Sequence, residues 1–472
     1  MPLILPGNVA TATAATGYDV ANSVKFNDDD SAYMHFTPSS AGNRRTMTLS
    51  VWFKGTSLAD GTNNILGQYN SSNENNSMLL TIESAGRIMV WNYTTSAYTM
   101  NLRTNRLLRD PSAWYHVVVA VDTTQSTDTN RVKIYVNGVQ ETSFFASTYP
   151  TQNLELFMNE DKAQNIGTQR FGSTVSAPFD GYMAEFAFID GSQLAPTAFG
   201  EFNSDSPRIW QPKDFKDDVT FGSNGYYLDF EDSSALGNDI SGNNNDFTTV
   251  NFAATDQATD TCTNNFCTMN PLHPTTAVTF SEGNCKYVTS GDDNKGAGIG
   301  TFGLTAGKWY YEVKIASLVD NHTHGAISEL TTELYSGAGG TQGLQNDTGV
   351  TSWINGDGGE VVVDGTATTN DYGLYTDGQI MGVALDIDNY NITYLRNGSA
   401  LVSDFNMSTT RGTIFPFIKS GINTTSEVNF GGCSAFSLSS AQSDENGYGN
   451  FEHAPPSGYL AICSKNLGSD GG

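Results

Sequence analysis

Two carboxylates stand two residues apart in "YYLDFEDSS", residues 226–234. If this segment is a strand, Asp229 and Glu231 project from the same face. Carboxyl groups so placed approach the about 5–5.5 Å at which a retaining glycosidase sets its nucleophile and its acid. They are therefore the candidate catalytic pair. The alternative is an edge strand whose acids face solvent. Because the segment runs directly into an Asn-rich loop, that reading is preferred and catalysis is the minor alternative.

Other clusters offer other chemistry. In "LGNDISGNNNDF", residues 236–247, Asp239, Ser241, Asn243 and Asp246 supply hard oxygen ligands within one loop, so calcium is the candidate cofactor. The spacing is not that of an EF-hand loop and no closing Glu follows, and the competing reading is a turn-rich connector. His322 and His324 share a face if they lie on a strand, but no third metal ligand accompanies them, so an exposed pair is expected. Ser, His and Asp are all present without a G-x-S-x-G elbow, which gives no support to a hydrolase triad.

Binding draws on different residues. Sugar recognition combines aromatic faces with directional polar groups on loops. "GQYNSSNENNS" (67–77), "WNYTTSAY" (91–98) and "GVTSWINGDGG" (349–359) have that composition. Trp91, Tyr93, Trp353, Asn355 and Asp357 are the ligand-binding candidates. For Trp353 the alternative is a partly buried loop anchor.

The elements that must position these residues read as strands. Asn-Gly between alternating apolar residues marks a hairpin, since both central positions need positive φ. It occurs twice, in "VKIYVNGVQ" (132–140) and "ITYLRNGSA" (392–400). Upstream of each lies a near-continuous apolar run ending in Asp, "AWYHVVVAVD" to Asp122 and "GQIMGVALDID" with Asp386 and Asp388. Such runs read as strands buried on both faces. Earlier still come the Trp-bearing strands "TMTLSVWFKG" (46–55) and "GKWYYEVKI" (307–315), and each half closes on a further aromatic-rich strand. Three elements recurring in the same order predict two domains of related all-β design, each a pair of antiparallel sheets packed face to face.

A length of 472 residues agrees with two domains of about 200 residues each. The expected division is an N-terminal arm over 1–20, a first domain over 21–255, an Asn, Asp, Thr-rich linker over 256–275 and a second domain over 276–472. With 23 basic and 50 acidic residues the net charge is −27, which argues against a nucleic acid partner. Solubility in a salty medium explains the acidity more simply than metal-holding loops. The opening residues lack the basic n-region of a signal peptide, and no apolar stretch reaches the length of a membrane span, so no membrane insertion is expected. Five cysteines argue against a closed disulfide framework.

The first half resembles the laminin-G-like or concanavalin-A-like jelly rolls, through "TMTLSVWFKG", "SAWYHVVVAVD", "RVKIYVNGVQ" and "FDGYMAEFAFIDG" in order. The second half resembles SPRY domains, through "GKWYYEVKI", "GQIMGVALDIDNYNITYLRNG", "IFPFIK" and "VNFG". The two families have related sandwich folds, which accounts for the echoed hairpins and makes Asp386 and Asp388 structural. Glucanases of the first class carry a further downstream acid that Asp229 and Glu231 lack here, and some of its jelly rolls bind calcium at the sandwich edge. In SPRY-like domains the ligand surface is formed by variable loops at one edge, which is where "GVTSWINGDGG" would fall.

End to end, the chain resembles a group of virion proteins from marine tailed phages, through segments such as "LILPGNVATATAATGYDV", "GYYLDFEDSSALGNDISGNNNDF" and "PPSGYLAICSKNL". Cys262 and Cys267 depart from that group's Pro and small residue, and a disulfide between them stays open. The resemblance implies a non-enzymatic virion component, a tail fibre, spike or capsid appendage displayed on the particle after synthesis in the host cytoplasm. Its expected partners are other virion proteins and a host-surface glycan or receptor. Homo-oligomers are expected, with a trimer the usual solution for fibres. A purely structural decoration protein and a polysaccharide depolymerase are the alternatives. Residues 1–20 are the expected docking arm.

Overall fold

Asn137 and Gly138 both adopt left-handed backbone, with φ of 47° and 77°, and fold Val139–Gln140 back onto Val132–Val136. Asn397 and Gly398 repeat this with φ of 49° and 77°, between Asn391–Arg396 and Ser399–Asn406. In each copy the Asn side chain also clasps the preceding buried strand. Asn137 Oδ1 accepts the N–H of His116 at 2.8 Å, and Asn397 Oδ1 that of Ile380 at 2.9 Å. The Asp that ends that strand holds the turn beyond it: Asp122 accepts from the N–H of Thr124 and Asp386 from that of Asn389, both at 3.0 Å. The repeated motif is thus one solved problem, a two-residue turn bonded to the strand behind it. Asn137→Ala removes both the left-handed preference and the clasp, and should cost about 1–2 kcal/mol in denaturant unfolding. An unchanged midpoint would mean that the flanking strands alone hold the turn.

The computed structural model describes residues 17–56, 58, 61–69, 75–272, 278–289, 296–317, 322–328, 349–354, 358–368, 370–407, 412–420 and 423–470. The chain divides into two units, one Thr16–Thr263 and the other containing Asn264–Gly472. Among the described residues almost all the regular structure is β, and each unit is built around two large sheets, antiparallel as the patterning predicts except where Leu460–Ala461 pairs parallel with Lys308–Ser317. No described helix is long and apolar enough to cross a membrane.

In the first unit one sheet runs in the order Val139–Gln140, Val132–Val136, Tyr115–Asp122, Thr46–Gly55, Gly181–Asp190, Ser23–Phe26 and Gln257–Ala258, with Tyr226–Leu228 also paired to Gly181–Asp190. The other runs Phe144–Thr148, Tyr98–Thr104, Arg87–Tyr93, Ser77–Glu83, Asn63–Tyr69, Gln164–Ile166, Tyr33–Phe36 and Thr248–Val250. Their inner faces supply alternate residues to one core, for example Val117, Val119 and Val121 against Ile82, Ile88 and Val90. The intervening Val118 points outward yet is fully buried, because Phe199, Phe215, Phe221 and Tyr227 cover that side of the sheet. Two covered faces explain an unbroken apolar run.

Residues 256–263 were expected as linker and are instead part of the first unit. Gln257–Ala258 pairs with Ser23–Phe26, and Asp260 is wholly buried against Lys54 and Trp114. The polar composition that suggests a connector here belongs to a buried ion pair.

In the second unit, one sheet contains Lys308–Ser317 between Thr425–Asn429 and Ile380–Asp386, and the other contains His322–Ser328 between Ile414–Ser420 and Val350–Ile354. Tyr311, Val313 and Ile315 enter the core, while Tyr310 on the opposite face is covered by Phe451, Tyr459 and Ala461. Glu312 fastens this C-terminal covering. Its carboxylate accepts the backbone N–H groups of Glu452 and His453 at 2.9 and 2.8 Å. Burial pushes its pKa up to about 7, against the lowering effect of those donors.

Candidate functional site

The segment "WNYTTSAY" is not a loop but the turn of a hairpin between Arg87–Tyr93 and Tyr98–Thr104. Thr94 closes the turn by donating both its N–H and its hydroxyl to the carbonyl of Ala97. Ile88 and Val90 belong to the core, so the alternate residues Arg87, Met89, Trp91 and Tyr93 lie on the outer face. Tyr93 pairs with Tyr98 across the hairpin, and Trp91 with Leu79 on one side and Asn101 on the other.

Three rings meet there edge to face. Trp91 and Tyr98 are 5.7 Å apart at 88°, Trp91 and Tyr93 6.2 Å at 86°, and Tyr93 and Tyr98 5.0 Å at 66°. Each such pair contributes about 0.5–1.5 kcal/mol beyond area burial and fixes ring orientation. Trp91 is only 7% exposed and packs on Tyr69, Leu79 and Met89, so it buttresses the group, whereas Tyr98 is 43% exposed and presents its ring. Sequence reading selected Trp91 and Tyr93 and missed Tyr98, the one that faces solvent. Its signal was the aromatic pair bracketing a four-residue turn.

The other candidates fall elsewhere. Trp353 lies on the strand Val350–Ile354 and is fully buried in the core of the second unit, its ring 6.4 Å from Tyr375 and 5.5 Å from Tyr394. It is not a displayed loop residue: glycines flank it on both sides in sequence, and the short strand between them was read as loop. Asn355 and Asp357 lie outside the described residues. His324 is fully buried, with Nδ1 3.1 Å from the hydroxyl of Tyr375, rather than exposed.

The strand that should have aligned the two carboxylates ends at Leu228, and Phe230 has φ of 60°. Asp229 and Glu231 therefore do not alternate along a strand. Asp229 Oδ1 accepts the N–H of Glu231 at 3.2 Å, and burial raises the Asp229 pKa. In the loop after it, Asp239 is buried and takes up the N–H groups of Tyr227, Ser241 and Asn245, each at 2.8–2.9 Å, while Asp246 accepts the N–H of Asp239. Asn243 donates to the carbonyls of Gly222 and Gly225. These oxygens shape the connector. Among the described residues no group of three or more His, Cys, Asp or Glu is placed to hold a metal. Cys262 and Cys267 are not joined in a disulfide.

Two buried polar groups went unnoticed in the sequence. His116 lies between Trp52 at 4.7 Å and Trp210 at 5.9 Å, both stacked. The indole N–H of Trp210 donates to Nδ1 at 2.9 Å, which leaves Nε2–H facing Ser50 Oγ at 2.8 Å. This imidazole donates a hydrogen bond to the serine oxygen instead of accepting one from its hydroxyl, so the pair is not arranged as nucleophile and base. Burial lowers the His116 pKa to about 3. The second is Glu185, at the register shift between Gly181–Asp190 and Thr46–Gly55, where its Oε2 accepts the hydroxyl of Tyr227.

Residues 28–195 match Laminin_G_3, the concanavalin A-like lectin/glucanases superfamily, and residues 308–433 match the SPRY domain, so both domains are present and in that order. No curated protein matches the chain. Among solved structures it is similar to a native heptameric SAP-like pentraxin from Limulus polyphemus, at 15% identity over 38% of this chain and 80% of that one, with a TM-score of 0.28. It is also similar to the SPRY domain of human HERC1, at 15% identity over 32% of this chain and 89% of that one, with a TM-score of 0.24.

Proposed function

We propose that the chain is a non-enzymatic adhesin on the surface of a tailed-phage particle, a tail fibre, spike or capsid appendage that holds a host-surface glycan or receptor. The observation that carries this reading is Tyr98, an exposed ring fixed in orientation by Trp91 and Tyr93 on a Laminin_G_3 sheet. A pre-oriented ring meets the apolar face of a sugar without the entropy cost of ordering a loop. Weak single contacts become firm when many copies engage together, which fits a homo-oligomer, with a trimer as the expected form. Residues 1–20 serve as the docking arm to other virion proteins.

Tyr98→Ala should reduce co-sedimentation of the protein with host cells at least tenfold, while lowering its thermal unfolding by only a few degrees for the two edge-to-face contacts it loses. Binding that is absent in the unaltered protein would favour a decoration role on the particle. New reducing ends released from host polysaccharide, and lost in Asp229→Asn, would favour a depolymerase.

A further inference from the structure

The eight strands of the sheet that carries Tyr98 contain a single acid, Glu83, and two arginines, Arg87 and Arg103, so their formal charge is 2 − 1 = +1 with His35 neutral. The whole chain carries −27. Both arginines and Glu83 lie on the outer face. Glu83 bridges them, with Arg87 Nε and Arg103 Nη1 each 3.3 Å from one of its oxygens, and Arg103 Nε also donates to Asn101 Oδ1 at 3.3 Å. One carboxylate therefore orients two guanidinium groups and leaves one positive charge over.

A second exposed ring stands beside them. Phe145 occupies a register shift in the edge strand Phe144–Thr148, is 62% exposed, and has the Arg87 guanidinium over its ring at 4.6 Å. An apolar ring of this size at a bulge gains nothing from solvent, and its stack on Arg87 keeps that side chain on the sheet face. Tyr98 and Phe145 lie towards opposite ends of this edge, about 17 Å apart along the strands from a rise of about 3.4 Å per residue. Arg103 and Asn101 fill the interval.

We propose that this face takes an anionic polysaccharide, one whose repeating units bear carboxylate or sulfate groups, with Tyr98 and Phe145 as ring platforms and, as the anion contacts, Arg103 between them and Arg87 at the Phe145 end, where its guanidinium stacks on that ring. The proposal rests on the glycan-binding reading of Tyr98 and adds the class of glycan. Its carrying observation is the local reversal of charge. At physiological ionic strength screening acts over about 8 Å, so a polymer on this face responds to the local arginines more than to the distant acids. A planar guanidinium fixed by one carboxylate is pre-organised for a second oxyanion.

The test is equilibrium binding of the full chain to alginate, to dextran sulfate and to unmodified dextran at 50 and 500 mM NaCl. Alginate or dextran sulfate should bind at least tenfold more tightly than dextran, the preferred one identifying the anion, and that affinity should fall about tenfold at the higher salt. Arg103→Gln should weaken it at least fivefold, and Phe145→Ala, which removes a ring that is 62% exposed and stacked on Arg87, should do the same while lowering thermal unfolding by no more than a few degrees. Equal, salt-insensitive binding of dextran that Tyr98→Ala abolishes would overturn the anionic class and leave the glycan reading standing. Loss of host-cell binding in Tyr98→Ala with no binding of any of the three polymers would do likewise. No binding of polymers or cells would overturn both.

Discussion

Replacing Asp260 by Ala is expected to destabilise the first unit by about 3–5 kcal/mol, a large part of the stability of an ordinary domain. Asp260 Oδ2 lies 2.7 Å from Lys54 Nζ, with the two side chains 0% and 1% exposed. Its other oxygen accepts the indole N–H of Trp114 at 3.0 Å, and its carbonyl accepts the hydroxyl of Ser23 at 2.6 Å. The Lys54 ammonium also lies 5.8 Å from the centre of the Tyr182 ring. Removing the carboxylate takes the charge partner from a buried cation and the acceptor from a buried indole donor, in a space that water reaches poorly, so part of the desolvation cost of each is no longer offset. The sign differs when both charges go. Lys54→Met with Asp260→Leu should recover at least half of the loss, since an apolar pair of similar volume carries no desolvation cost. Guanidinium unfolding of the two variants decides it. A loss below about 1 kcal/mol in Asp260→Ala would show that water or a neighbouring group solvates Lys54 in the folded protein.

That ion pair also shows where the sequence stopped being informative. The Asn-Gly hairpins were legible because their turn geometry admits few other residues, and the double-faced strands because nothing polar interrupts them. Asp260 was read as linker because local composition reports turns and solvation, whereas its partner Lys54 is more than two hundred residues away. Trp353 was misplaced for the related reason that glycines on either side of a short strand imitate a loop. Within the site, Trp91 and Tyr93 were legible as aromatic residues beside polar ones. Which ring faces solvent depends on the pleat and on the hairpin register, and Tyr98 emerged only from the pairing with Tyr93. The bulge at Glu185 left no trace, since "YMAEFAFID" scans as a continuous strand.

At pH 9 the substitution Glu185→Gln is expected to stabilise the first unit by about 4 kcal/mol, and at pH 4 by almost nothing. Glu185 sits where the pairing of Gly181–Asp190 with Thr46–Gly55 shifts register, with φ of 51°. The bulge turns its side chain under cover, and the hydroxyl of Tyr227 donates to Oε2 at 2.6 Å, with Tyr18 3.2 Å further along the chain of hydroxyls. Burial comes first in raising its pKa from 4.5 to about 8, Asp229 and Glu231 add to the rise, and the tyrosine bonds oppose it. A carboxyl whose folded pKa is raised binds its proton more tightly in the folded state. Its contribution is therefore fully present below pH 4.5, declines with rising pH, and is lost above about 8. His116 works from the other side: lowered from 6.5 to about 3, it favours folding above pH 6.5 and withdraws that support as the pH falls. The two slopes cancel between pH 4.5 and 6.5, so these groups together predict a plateau there and a decline on both sides. Gln keeps an acceptor for Tyr227 and cannot ionise, and so should remove the alkaline limb alone, raising the melting temperature of the first unit at pH 9 by roughly 10 °C. Calorimetry of both proteins at pH 5.5 and 9 tests this. Equal shifts at the two pH values would mean that Glu185 is already ionised and solvated in the folded protein.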